Sequence, residues 1–113
     1  MAPEMNQVDV VEMIGDQLTQ IDMTIARLTP SDPSAAELTA LRRSLDQQQQ
    51  LLVKQAFDDN TAEFQKAAKD LKTVNVSIAG SIQKIDRIAT VIDDVTRFLI
   101  SVTNLVTTAS KLV

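Results

Sequence analysis

A chain of 113 residues with 44% apolar residues, two Gly, three Pro and no Cys, His, Trp or Tyr has few chemistries open to it. Disulfides, thiolate metal sites, cysteine nucleophiles, imidazole bases and the Glu-x-x-His di-iron centres of helical bundles are all excluded. A net charge of −4 and only three Phe on which a base could stack argue against nucleic acid.

Scarce Gly and Pro leave little material for the tight turns of an all-β fold. The expectation is therefore a single all-α domain over 1–113, an antiparallel bundle of three or four helices with a long, coiled-coil-like C-terminal helix. The N-terminal eleven residues hold neither a basic region nor an apolar run, so no signal peptide is expected. The longest stretch without formal charge, 98–110, is broken by Ser, Thr and Asn. A membrane span needs about 20 mostly apolar residues. A cytoplasmic protein without a transmembrane segment is the expectation.

In chain order, Val11, Ile14, Leu18, Ile21, Ile25 and Leu28 alternate at steps of three and four and mark one face of a first helix. Its acids, Glu4, Asp9, Glu12, Asp16 and Asp22, precede its single base Arg27, an order that suits the helix dipole. Residues 29–33, Thr-Pro-Ser-Asp-Pro, end it. Asp32 is then placed to cap a second helix with Pro33 at its first position, and Ser34 with Glu37 is an alternative capping box.

Leu38, Leu41, Leu45 and Leu52 form the seam of the second helix, with Gln48 where another apolar residue should stand. A polar seam position either fixes register or marks a solvated stretch where helices diverge, and the second is the commoner case. Asp58, Asp59 and Asn60 read as a stop, with Asn60 and Glu63 as a cap and its return contact. The same residues offer oxygen ligands, but their spacing is not that of a calcium loop, and no metal is expected.

The third segment holds the strongest pattern. From Phe64 through Leu71, Ile78, Ile85, Ile92 and Leu99 the three–four alternation persists over fifty residues, with Ser81 its one polar member. From Val91 onward Phe98, Leu105 and Leu112 add a flanking row, so the stripe widens from two positions per heptad to three, as for a helix with neighbours on two sides. The crowding of Val, Ile and Thr over 88–108 favours strand by propensity, but adjacent apolar pairs break a period of two, so helix is predicted. A break at 58–61 would leave one helix of about 52 residues, roughly 78 Å long. A break at 75–80 would give a balanced bundle instead. The unbroken seam favours the first.

No catalytic, cofactor or metal residues are assigned. Ser81 and Lys84 match S-x-x-K without the S-D-N and K-T-G elements that accompany it in serine acyl enzymes. Asn75-Val76-Ser77 is a glycosylation sequon, expected to be inert without secretion. The small helical substrates of type VII export resemble this chain in length and lack of Cys, but their Trp-x-Gly turn requires a Trp that is absent here.

What remains is a core or oligomer face on the C-terminal helix, made of Ile85, Ile88, Ile92, Val95, Phe98, Leu99, Val102, Leu105, Val106 and Leu112. The expected function is a non-enzymatic assembly module that forms a homo-oligomer or docks a helical partner. No small-molecule substrate is evident. An alternative uses 88–113 as an amphipathic helix on a membrane or granule surface, although its polar face has few of the bases such helices carry.

Overall fold

The computed structural model describes residues 5–81 and 87–112. Within them lie four helices, α1 (Gln7–Ala26), α2 (Pro33–Lys54), α3 (Ala62–Ser81) and α4 (Ile88–Lys111). The chain is all-helical and compact over the described residues.

Local chemistry sets the helix starts. Asp32 caps α2 by accepting from the Ser34 N–H at 2.9 Å, with Pro33 at the first position, as the sequence implies. At α1 the Asn6 side chain accepts from the Asp9 N–H (2.8 Å) while Asp9 accepts from the Asn6 N–H (3.0 Å), a reciprocal capping box. The start of α3 corrects an expectation. Thr61, not Asn60, caps it: its hydroxyl accepts from the Phe64 N–H at 3.2 Å. Asn60 instead donates its backbone N–H to Asp58 in a tight turn.

The fifty-residue seam does not become one helix. The chain does break at 58–61, where α3 begins at Ala62, but that is not the last break, and residues 75–80 are helical. α3 and α4 instead lie side by side, which requires the chain to reverse between Ser81 and Ile88; residues 82–86, including Ile85, lie outside the description. The physical reason is burial. A single helix of about 78 Å would leave its apolar stripe wet, whereas folding it in two covers each half with the other. The longest dimension of the molecule is 47 Å.

The closest pairings are α3 with α4, α2 with α4, and α1 with α2. The Gln55 side chain just after α2 donates to Ser110 near the end of α4, so α2 and α4 run parallel. Gln65 near the start of α3 meets Met5 just before α1, so α1 and α3 also run parallel. One core fills the space between all four, with Ile14, Ile21, Leu38, Leu45, Phe64, Leu71, Phe98 and Leu105 fully buried. The rings of Phe57 and Phe64 stack at a tilt, centroids 4.9 Å apart, and close the core beneath the α2–α3 connection. α4 is helical throughout despite its strand-favouring composition. Thr96, Thr103, Thr107 and Thr108 each donate a hydroxyl to the carbonyl four residues back, a use of Thr that a helix tolerates.

Candidate interaction surface

α4 touches both α2 and α3, so its widened apolar stripe has two neighbours to cover. The centre of the buried face is the flanking row. Val91, Phe98 and Leu105 are fully buried, together with Val95, Val102 and Ala109. Val106 is also buried. Five residues of the expected core or oligomer face (Val95, Phe98, Val102, Leu105 and Val106) serve the interior of the single chain. Ile88, Ile92, Leu99 and Leu112 are only partly buried and rest against the edge of the core. Ile85 lies outside the described residues, as do the Ser81 side chain and Lys84 of the S-x-x-K match.

Of these, Leu112 lines the groove against α3, whereas Ile92 and Leu99 lie on the other side of α4. Ile92 and Leu99 are seven residues apart, and both lean toward α2, the side on which Ser110 meets Gln55. On α2, Leu51 lies one turn before Gln55 on the same side of the helix and is 48% exposed. Ile100, next to Leu99, points outward and is 55% exposed. Exposed charges flank these residues: Lys54 stands one turn after Leu51, and Arg97 one turn before Ile100.

The remaining surface differs. α1 presents Asp9, Glu12 and Asp16 to solvent, and Met5, Met13, Lys72 and Asn75 join them to line a shallow groove against α3. Among the described residues no cluster of carboxylates converges closely enough to hold a metal ion. The carboxylates at 58 and 59 are engaged otherwise: Asp58 accepts from the Asn60 N–H, and Asp59 accepts from the Gln7 N–H at 2.8 Å. A second groove of about 390 Å³ runs between α3 and α4, where Glu63, Lys66, Asp70 and Lys111 surround Ser101 and Thr108. Asp22 and Arg42 pair across α1 and α2, with Nε–Oδ1 at 2.9 Å, and that hydrogen bond raises the guanidinium pKa above its usual value.

The most ordered polar arrangement is at one pole, and it is built of carboxamides. The Gln7 side chain donates to the carbonyls of Leu52 (2.7 Å) and Gln55 (3.0 Å), satisfying the end of α2. The Gln65 side chain donates to the carbonyls of Met5 and Asp59, both at 2.7 Å, and accepts from the Met5 N–H. Halfway along, Gln17 is only 5% exposed and donates to the Asn75 side chain at 2.6 Å, while its own oxygen has no partner. The sequon asparagine is thus engaged on the α1 side of α3. Sequence reasoning missed every one of these glutamines, because a long amide reads as a neutral surface residue until its partner carbonyl is known.

Buried polar side chains among the described residues are Gln17 and Thr24, neither of them ionisable. No described helix is long and apolar enough to cross a membrane. No protein-family profile matches this chain, and no curated protein or solved structure resembles it significantly.

Proposed function

We propose that this chain is a non-enzymatic helical interaction protein whose working surface is the rim between α2 and α4. One observation carries the reading. After the bundle has closed on its seam, Leu51 on α2 and Ile100 on α4 remain about half exposed, and Ile92 and Leu99 on α4 are only partly covered. Contiguous apolar surface rimmed by polar groups marks contact sites in proteins of this kind. Catalytic centres, by contrast, are built around desolvated ionisable groups, and among the described residues the buried polar ones are an amide and a hydroxyl. A lipid-inserting role for 88–113 would require α4 to leave the bundle, since Phe98 and Leu105 face its interior.

Photo-crosslinking in cells tests the reading. A photoreactive side chain at Ile100 is expected to give one discrete adduct, and the same group at exposed Lys69 on α3 none. Absence of any adduct from position 100, or equal yields from both positions, overturns it.

A further inference from the structure

One side of the bundle is closed less firmly than the others. We infer that the molecule opens along the α1–α3 seam, the α1–α2 hairpin swinging away from the α3–α4 hairpin with the α2–α4 joint as its spine.

Going round the bundle, α1 packs on α2, α2 on α4 and α4 on α3, and only the return from α3 to α1 lacks comparable close approach. What crosses that fourth side is polar or soft. Gln65 donates to the Met5 carbonyl at 2.7 Å, the Gln7 N–H donates to Asp59 at 2.8 Å, and Gln17 donates to Asn75 at 2.6 Å. Met5 and Met13 line the groove there, and an unbranched thioether adapts to a changing gap. Each of these hydrogen bonds exchanges for one to water when the seam parts, so opening forfeits little. Gln17 tilts the balance further. It is 5% exposed and its Oε1 has no partner, so the closed seam holds a desolvated carbonyl that opening hydrates.

The other three sides resist. Within the first hairpin, Gln49 donates to the Val11 carbonyl at 3.0 Å and Arg42 pairs with Asp22. α3 and α4 are in the most extensive contact of any two helices. Parting α2 from α4 would bare aliphatic side chains that gain nothing from water. The seven residues 55–61 between α2 and α3 reach about 24 Å when extended, long enough to follow the swing. The open form keeps every helix and uncovers the inner face that carries Ile14, Ile21, Leu71 and Phe98. Such partial openings lie below global unfolding in free energy.

The chain has no Cys, so a single introduced thiol reports on one place. Ala68 is fully buried two turns before Asn75 on the α1 side of α3, and Val106 is buried two turns after Leu99 on the α2 side of α4. In the full purified chain under native conditions, the thiol of Ala68→Cys is expected to react with a maleimide at least about tenfold faster than that of Val106→Cys, each rate scaled to the same variant in urea. Leu71→Cys, one turn before Asn75, is a second seam reporter should the sulfur at position 68 disturb packing, and the same excess is expected there. Amide hydrogens of α3 should meanwhile exchange as slowly as those of α4, because the seam parts without melting a helix. Labelling at positions 68 and 71 no faster than at 106 overturns the proposal. So does fast labelling matched by equally fast amide exchange along α3, which is local unfolding of that helix.

Discussion

α1 runs parallel to α3 and α2 runs parallel to α4, yet the two pairs are joined by different chemistry. α1 and α3 are linked by carboxamides, Gln65 to the Met5 backbone and Gln17 to Asn75, and their outer surfaces carry acids and lysines. α2 and α4 come closer together and meet through leucines, valines and Phe98, with one amide–hydroxyl bond at the end. A long amide spans a wider gap than an aliphatic contact and works in one register only. An apolar joint allows close approach and tolerates sliding. Charges flank both pairs, Lys54 and Arg97 standing beside the exposed Leu51 and Ile100 of the second. The contrast shows how one sequence can join two pairs of parallel helices by different chemistry.

The largest expected effect comes from the apolar joint. Phe98→Ala should lower the unfolding free energy by about 3–5 kcal/mol, since it opens a cavity beneath a fully buried ring. Urea titration followed by circular dichroism measures it, and a loss under about 1 kcal/mol would show the inner face of α4 to be misassigned. The amide joint should respond differently. Asn75→Ala strands the Gln17 amide and is expected to cost about 1–2 kcal/mol. Replacing both residues by Leu removes the buried polar atoms together and should be nearly neutral. A double-mutant cycle by the same titration gives the coupling, and independent effects would mean that the pair does not latch α1 to α3.

Smaller effects sharpen the same contrast. Arg42→Ala removes a half-exposed ion pair and should cost less than about 1 kcal/mol. The parent–variant difference should shrink when melting is repeated in concentrated salt, which screens the pair. Gly80 is exposed in the last turn of α3, and a methyl group there would meet nothing within 4 Å. Gly80→Ala should therefore raise stability by roughly 0.5 kcal/mol through helix propensity alone, visible as a small increase in melting temperature.

The heptad seams and the Asp32–Pro33 start of α2 were legible in the sequence because they depend on spacing and on neighbours a few residues away. The reversal between α3 and α4 was not. Seam phase is the same whether a stripe continues along one axis or folds back on itself, and only the gain from covering one half with the other distinguishes them. The rim was half legible. The widened stripe of α4 announced two neighbours, but which row would lie deepest depended on where α2 and α3 stand. Phe98 and Leu105 therefore moved to the centre, and Ile92 and Leu99 to the edge. Thr61 displaced Asn60 as a cap for a similarly local reason, because Asp58 had already drawn the Asn60 N–H into a turn.

The glutamine pole has a consequence for where the molecule can tolerate its surroundings. Carboxamides neither titrate across ordinary pH nor attract counterions, so the joins made by Gln7, Gln55 and Gln65 are indifferent to ionic strength. The Asp22–Arg42 contact nearer the other pole has no such immunity. In brine the two ends of the bundle respond unequally: the amide joins hold, while the ionic contact loses at most the ~1 kcal/mol such a pair is worth.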